Sequence, residues 1–173
     1  KVEHIHRFGS DGDILVFMTG EDDITKVIKG LEKLQLSQIV ILPLYGSLSP
    51  EDQQKIFRKH PSFRKVVVAT NIAETSLTID GVVYVVDSGV VKQTNFHPES
   101  GIQSLDVVEH SQAGCNQRAG RAGRTQPGIC HRMYTEASFA LRARFTEPEI
   151  RRTSLASVVI AMEVIGLDDI EGF

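Results

Sequence analysis

Residues 64–80 read Arg-Lys-Val-Val-Val-Ala-Thr-Asn-Ile-Ala-Glu-Thr-Ser-Leu-Thr-Ile-Asp. The first six residues predict a buried strand, because the run is short, mostly apolar and rich in β-branched side chains. The polar residues 70–80 would then lie at the carboxyl end of this strand, where open α/β sheets place their ligands. Their hydroxyl and amide groups suit phosphate oxygens and sugar hydroxyls. A hydroxyl-rich turn of this kind also occurs as a simple capping loop.

Short apolar runs and helical patterns alternate on both sides of this stretch. Residues 13–18, 39–42 and 82–87 predict three more strands. Residues 21–34 predict a helix, because three acids precede apolar side chains at helical spacing. The alternation predicts an α/β domain with a mostly parallel central sheet flanked by helices.

Further elements surround this core. Ser49 and Pro50 predict the start of a helix, as N-cap and first helical residue, which ends near 57–60. Residues 90–108 predict a β-hairpin with turn residues at its centre. A last strand is predicted at 128–134, and helices are predicted at 111–118, from 136, and from 149 to about 165.

Composition excludes several classes of protein. The chain has 173 residues, of which 41% are hydrophobic and 24% charged, so it is neither disordered throughout nor collagen-like. No apolar run approaches the roughly 20 residues needed to span a bilayer, so no membrane partner is expected. The two cysteines stand outside metal-binding spacings and the histidines are scattered, so no metal site is predicted. We expect an intracellular protein.

Charge is distributed unevenly along the chain. The formal net charge is −3, yet residues 118–152 contain eight arginines against three acids. No lysine follows Lys92, and arginine offers a fork of donors that matches phosphate geometry. This half of the chain is therefore either an anion-binding surface or a solvated basic face.

The most specific motif is Gln-Arg-Ala-Gly-Arg-Ala-Gly-Arg at residues 117–124. Three arginines at three-residue spacing are separated only by Gly and Ala, which allow a ligand to approach the backbone closely. Clustered guanidinium groups repel one another, so we expect them to converge on an anion such as a triphosphate, where arginine fingers act in phosphoryl transfer. The alternatives are a basic loop or an arginine- and glycine-rich nucleic-acid tract.

Residues 70–80 and 117–124 together resemble motifs V and VI of the DEAH-box (DEAH/RHA) RNA helicases of superfamily 2, and both match the family pattern without departure. Residues 17–20 resemble motif IV, and 42–47 resemble the segment after it. The resemblance covers essentially the whole chain. It implies a linker at 1–12, a second RecA-like domain at 13–146 with a β-hairpin at about 90–108, and the start of a winged-helix region at 147–173.

The resemblance also implies roles at a nucleotide site. Arg121 and Arg124 would contact the γ-phosphate of ATP, with Arg124 as the arginine finger, and Gln117 would place the phosphate or the attacking water. Asp80, with Thr78 beside it, would hold the ribose. Phe57 would stack on adenine, and the alternative for this residue is a core aromatic on an amphipathic helix.

A second group of residues is expected to contact the RNA backbone rather than its bases. The resemblance implies this role for Thr19, Gly20, Ser47, Thr70 and Asn71. Thr75 and Ser76 would lie between the RNA and nucleotide surfaces and couple them. Ser47 and Thr19 can equally be helix caps.

The sequence contains neither a GxxxxGK[ST] loop nor a DEAH tetrad. In the family these groups lie in the first RecA-like domain and hold the phosphates and Mg²⁺. We therefore expect half of an ATP site, inactive alone, whose partners are RNA, the first RecA-like and winged-helix domains of the same protein, and possible protein activators. The family is most often nuclear, with cytoplasmic or nucleolar location as the alternative.

Three functions remain open at this point. The chain is expected to be the C-terminal RecA-like half of an enzyme that couples ATP hydrolysis to 3′→5′ movement on RNA. The first alternative is a catalytically silent RNA-binding scaffold, and the second is a DNA-acting or bacterial relative.

Overall fold

The computed structural model describes residues 1–75, 77–97, 99–124 and 126–166. The chain divides into two compact units, one made of residues 1–91 and 107–146, the other of residues 92–106 and 147–173. None of the helices among these residues is long and apolar enough to cross a bilayer.

Seven strands are described: β1 (Asp13–Phe17), β2 (Ile39–Leu44), β3 (Arg64–Ala69), β4 (Val82–Asp87), β5 (Val90–His97), β6 (Ile102–Glu109) and β7 (Ile129–Arg132). Five of them form the central sheet of the first unit in the order β2-β3-β1-β4-β7, and every neighbouring pair is parallel. Strands β5 and β6 pair with each other as the expected hairpin. The prediction of a mostly parallel α/β sheet is confirmed.

Seven α-helices accompany the strands: α1 (Val2–Phe8), α2 (Glu21–Glu32), α3 (Pro50–Gln54), α4 (Ile72–Thr75), α5 (Gln112–Ala119), α6 (Glu136–Leu141) and α7 (Ala156–Val164). Short 3₁₀ helices follow at Lys55–Phe57, Gly120–Gly123 and Glu149–Arg151. Ser49 caps α3 as predicted, since its Oγ accepts the Asp52 amide at 3.1 Å.

The sheet is covered on both faces, because successive side chains of a strand point to opposite sides. Ile14 and Val16 of β1 pack on the face covered by α1 and α2, here called the α2 face. Leu15 and Phe17 pack on the opposite face, here called the α4 face. The α4 face is completed by three buried residues from its covering segments: Ile56, Ala73 and Ala122. Motif residues 72–75 and 120–123 are thus part of one hydrophobic core.

The amino terminus corrects the predicted linker at 1–12. Residues 2–8 form α1, and Val2 and Ile5 are buried in the core of the α2 face. The Arg64 guanidinium donates to the carbonyls of Ile5 at 2.7 Å and Ser10 at 2.5 Å, which ties this segment to β3. Two buried residues are too few to show a helical period in the sequence.

The second unit contains most of the hairpin and the chain from residue 147 onward. Within it, Asn95 and Ser104 donate to Asp106 at 2.9 and 2.8 Å, and these hydrogen bonds lower the pKa of Asp106. Arg152 donates to the Thr94 carbonyl at 2.9 Å.

The single long helix predicted from 149 to about 165 is wrong. The chain instead forms a 3₁₀ turn at 149–151 and then α7. The Thr153 hydroxyl donates to the Glu149 carbonyl, and the Arg152 guanidinium to the Glu147 carbonyl. Side chains that bond to nearby carbonyls in this way compete with a continuous helix. The predicted tail at 167–173 lies outside the described residues.

Gly128 is the tightest backbone contact near the motif at 117–124. A Cβ there would lie 1.6 Å from the Ala122 carbonyl oxygen and 2.7 Å from that of Val83. Both obstacles are backbone atoms, so no side chain can rotate away to make room. The 3₁₀ helix at 120–123 can approach the sheet this closely only because residue 128 is glycine.

We expect Gly128→Ala to lower the free energy of unfolding by about 2–3 kcal/mol, the cost typical of overpacking. Gly30→Ala is the matched control, since a Cβ there meets nothing within 4 Å in an exposed part of α2. This control should raise the free energy of unfolding by about 0.5–1 kcal/mol through helix propensity. Urea unfolding of the two variants measures both effects, and equal stability of the two would contradict the close approach.

Candidate functional site

Polar residues gather at the carboxyl edge of the sheet. Thr19 and Gly20 follow β1, Ser47 follows β2, and Thr70 and Asn71 follow β3. Parallel neighbouring strands bring these five residues to one edge, and two backbone bonds join the loops: Met18 N–H to the Ala69 carbonyl at 2.8 Å and Thr70 N–H to the Leu44 carbonyl at 3.0 Å. The structure therefore assembles all five residues predicted to contact RNA.

Their exposure differs along this edge. Ser47 and Asn71 are exposed, and Thr70 is half-buried. Thr19 is only 8% exposed, Gly20 is also buried, and the Thr19 hydroxyl donates to the Asp23 carboxylate. The alternative prediction that Thr19 is a helix cap is wrong, because Gly20 is the N-cap of α2 and no side chain accepts a capping hydrogen bond there. Thr19 instead contacts the first turn of α2 through Asp23.

Acidic side chains border the same edge. Glu21, Asp22 and Asp23 form the first turn of α2, where negative charge complements the helix dipole. The Ser47 hydroxyl donates to Glu21 Oε2 at 3.2 Å. Tyr45 lies beside the same carboxylate, and partial burial together with the charge and hydrogen bond of Glu21 raises the pKa of Tyr45.

Residues 70–80 do not stay at the carboxyl edge. Thr70 lies at the end of β3, but Asp80 lies two residues before β4, at the amino edge of the same sheet. The Gly81 carbonyl there accepts the Asp13 amide at 2.8 Å. A six-residue strand spans roughly 20 Å, so the two ends of the stretch serve different parts of the surface. The prediction that all of 70–80 lies at one strand end is corrected: the short connection between two parallel strands must cross the sheet.

Phe57 ends the 3₁₀ helix at 55–57 on the α4 face and is 47% exposed. Its neighbour Ile56 is fully buried and fixes the turn, and the Lys65 ammonium donates to the Ile56 carbonyl at 2.7 Å. The alternative of a core aromatic at position 57 is therefore excluded. The exposed ring is free to stack on a flat ligand.

Residues 117–124 run through α5 into the 3₁₀ helix at 120–123. Ser111 caps α5 by accepting the Gly114 amide at 3.2 Å. Gln117 and Arg124 are exposed, Arg121 is half-buried, and Arg118 is fully buried. The turn at 120 thus separates one inward-facing arginine from two at the surface.

Arg118 corrects the expectation that all three arginines converge on an anion. Its Nε donates to Glu74 at 2.7 Å, and its Nη1 donates to Asp87 at 2.8 Å and to the Val90 carbonyl at 3.1 Å. Burial lowers the pKa of Arg118, but the two carboxylates outweigh burial and leave it above its ordinary value. The counter-anions of this arginine belong to the protein.

Arg121 and Arg124 differ from Arg118 in their partners. Arg121 donates to the Leu77 carbonyl at 3.5 Å, and Arg124 donates to the Thr78 hydroxyl at 2.5 Å. Both partners are uncharged, and within the part of the chain described no carboxylate forms an ion pair with either guanidinium. Burial and the charge of Arg124 lower the pKa of Arg121, with Glu74 opposing. Two unneutralised neighbouring cations are what an anionic ligand requires.

The two guanidinium groups also line a small cavity on the α4 face, whose other walls are apolar: Leu15, Ala73, Leu77, Ile79 and Val82. Within the described residues, Arg121 Nε is buried and has no hydrogen-bond partner. This donor set fits the phosphates of a nucleotide. The structure places Thr78 in direct contact with Arg124 and leaves Asp80 and Gln117 exposed.

Sequence reasoning missed the residues that hold this region together. His110 Nε2 lies 3.2 Å from Glu74 Oε1, although no sequence pattern singles out this histidine. Tyr134 donates to Asp87 at 2.8 Å. The available signal was the charge of Asp87 at the end of an apolar run, since a buried carboxylate needs a cation.

No metal-binding cluster supplements the arginines in the described ranges, where no group of three or more His, Cys, Asp or Glu side chains could hold an ion.

We expect Arg118→Met to lower the free energy of unfolding by about 3–5 kcal/mol, because it leaves Glu74 and Asp87 buried without their cation. Arg144→Met replaces an exposed arginine and should change stability by no more than about 0.5 kcal/mol. Urea unfolding of both variants tests this. A loss below about 1 kcal/mol in Arg118→Met would show that the pair of carboxylates does not depend on Arg118.

Comparison with known proteins supports the sequence resemblance. The family described as "Helicase conserved C-terminal domain" matches residues 1–126. The chain is 48% identical over 164 residues to the ATP-dependent RNA helicase HrpA of Escherichia coli K12, covering 95% of this chain and 12% of that protein. It is 42% identical over 181 residues to the probable ATP-dependent RNA helicase DHX35 of Pongo abelii, covering 99% of this chain and 25% of that protein.

A solved structure shows the same arrangement. The Escherichia coli DEAH/RHA helicase HrpB superposes with a TM-score of 0.88 at 38% identity, over 95% of this chain and 21% of that chain. The chain therefore spans about a tenth to a quarter of the length of these relatives. The resemblance to the DEAH-box RNA helicases is confirmed, and with residues 1–126 matched the chain belongs to the helicase conserved C-terminal domain family.

Proposed function

We propose that this chain is the C-terminal RecA-like half of an ATP-dependent RNA helicase that couples ATP hydrolysis to 3′→5′ movement on RNA. The observation that carries the proposal is the pair Arg121 and Arg124, adjacent cations with neutral partners on a surface separate from the carboxyl edge. The similarity to HrpA and DHX35, both described as ATP-dependent RNA helicases or probable ones, supports it.

The nucleotide would bind between this domain and the first RecA-like domain of the whole protein. Arg124 leaves the Thr78 hydroxyl and stabilises negative charge that develops on the γ-phosphate. Arg121 donates to the Leu77 carbonyl and lines the small cavity, and it would contact the same phosphate. Gln117, exposed on the preceding turn, places the phosphate or the attacking water.

The remaining nucleotide contacts use groups that the structure leaves accessible. The exposed Phe57 ring stacks on adenine, a contact that tolerates other bases because every base has a π-face. Asp80 and Thr78 hold the ribose hydroxyls. Mg²⁺ would be held mainly by the first domain, as the family resemblance implies.

RNA would bind along the carboxyl edge of the sheet. Ser47, Thr70 and Asn71 offer hydroxyl and amide donors to the sugar-phosphate backbone, so little sequence preference is expected. Movement of this edge relative to the first domain, as the nucleotide cleft closes and opens, would advance the protein along the strand. Thr75, in α4, would couple the two surfaces. Ser76, for which the same role is predicted, lies outside the described residues.

Two other functions remain to be separated from this one. A scaffold that binds RNA without catalysis would need the carboxyl edge. It would not need Arg121 and Arg124 to be without an ion-pair partner. A DNA-acting enzyme would bind single-stranded DNA as tightly as RNA. The relatives include bacterial proteins, so the nuclear location stays a prediction.

We expect Arg124→Ala in the whole protein to lower the RNA-stimulated kcat for ATP hydrolysis by about 10³-fold, the scale of an arginine finger. RNA affinity without nucleotide should stay unchanged, because Arg124 lies away from the carboxyl edge. Steady-state hydrolysis with single-stranded RNA and, separately, single-stranded DNA makes the measurement.

Arg144→Ala is the matched control, since it removes an equally exposed arginine outside the motif. Equal kcat in the two variants would contradict the arginine-finger assignment. RNA binding without any hydrolysis in the unmodified protein would favour the scaffold, and equal stimulation by DNA would contradict RNA selectivity.

A further inference from the structure

The hydroxyls of Ser47 and Thr19 at the carboxyl edge already donate to carboxylates. Ser47 Oγ donates to Glu21 Oε2 at 3.2 Å, and Thr19 Oγ1 donates to Asp23. Both acceptors belong to the first turn of α2. The two pairs are not equivalent, because Thr19 is buried whereas Ser47 and Glu21 are exposed. Only the Ser47–Glu21 pair is therefore within reach of a long polyanion.

A hydroxyl has a single proton to donate. While Ser47 donates to Glu21, it cannot donate to a phosphate oxygen, so the carboxylate and the RNA backbone compete for the same group. The Glu21 charge also repels a phosphate brought to Ser47.

We propose that Glu21 is an autoinhibitory residue of the RNA surface: its carboxylate occupies the Ser47 hydroxyl in place of an RNA phosphate, which weakens the hold on RNA and speeds its release. The inference rests on the proposed function, since it requires RNA to contact Ser47. It adds to that function a residue that limits affinity. A motor that steps along a strand must release each contact, and a built-in competitor makes release fast.

Asp22 provides an internal control. It lies beside Glu21 in the same helical turn, is exposed, and carries the same charge, but among the described residues it makes no side-chain hydrogen bond or ion pair. Glu21→Gln and Asp22→Asn therefore remove equal charge from neighbouring positions. Only the first change weakens the acceptor that holds Ser47, because hydrogen bonds to charged acceptors are about twice as strong as those to neutral ones.

The test measures the Kd of the whole protein for a fluorescein-labelled single-stranded oligouridylate by anisotropy, without nucleotide and at one fixed salt concentration. The proteins are the unmodified form, Glu21→Gln, Asp22→Asn, Ser47→Ala and the double variant Glu21→Gln/Ser47→Ala. We expect Glu21→Gln to bind about fivefold more tightly and Asp22→Asn to gain less than about twofold. The dissociation rate of labelled RNA should fall in parallel.

The double variant decides whether Ser47 transmits the effect. If Glu21 acts by occupying Ser47, the gain from Glu21→Gln falls to that of Asp22→Asn once Ser47 is alanine. Equal gains from Glu21→Gln and Asp22→Asn would overturn the proposal in favour of general charge. An unchanged or weaker Kd in Glu21→Gln would also overturn it.

Failure of the proposed function is distinguishable from failure of this inference. If Ser47→Ala leaves the Kd for RNA unchanged in the Glu21→Gln background, where no carboxylate competes for the hydroxyl, Ser47 is not an RNA contact, and the assignment of the carboxyl edge and the inference both fall. If Ser47→Ala weakens binding while Glu21→Gln has no effect, the RNA surface stands and only the competition is wrong.

Discussion

The buried ion pairs of Arg118 with Glu74 and Asp87 are the interaction on which the rest of this domain depends. A fully buried guanidinium between Glu74 and Asp87 joins α5, α4 and the end of β4 in one charge network. A buried charge is tolerated only when its partners are in place, so the segments carrying these residues cannot move independently without a large cost. The 3₁₀ helix at 120–123 follows Arg118 directly and is therefore held in place by the same network. Ala122 packs in the core, and its carbonyl lies against Gly128.

The same network explains why only two arginines of the motif are available to a ligand. The carboxylates within reach are used on Arg118, which leaves Arg121 and Arg124 with neutral partners. Burial and, after it, the charge of Arg124 lower the pKa of Arg121, and a bound anion would relieve the repulsion between the two guanidinium groups. The carboxyl edge differs from this site, because its hydroxyls already have charged partners. Thr19 donates to Asp23 and Ser47 donates to Glu21.

Much of the fold could be predicted from the local pattern. β3 and β4 were predicted with their observed bounds, because each is a short apolar run between polar turns. The cap at Ser49 was equally local. The segments at 2–8 and 149–165 were mispredicted, the first because two buried residues define no period and the second because side-chain bonds to nearby carbonyls interrupt the helix.

For the candidate site, too, some features follow from the sequence and others only from the tertiary structure. By itself the sequence determined which residue types are present and in what spacing, and hence the family, the parallel sheet and the arginine motif at residues 117–124. Only the tertiary structure decided that Arg118 faces inward, that Thr70 and Asp80 lie at opposite edges, and that Glu21 holds Ser47. The reason is physical: an arginine's partners, and the edge on which a loop ends, depend on contacts between residues far apart in the sequence, such as Arg118 and Glu74, which no local pattern encodes.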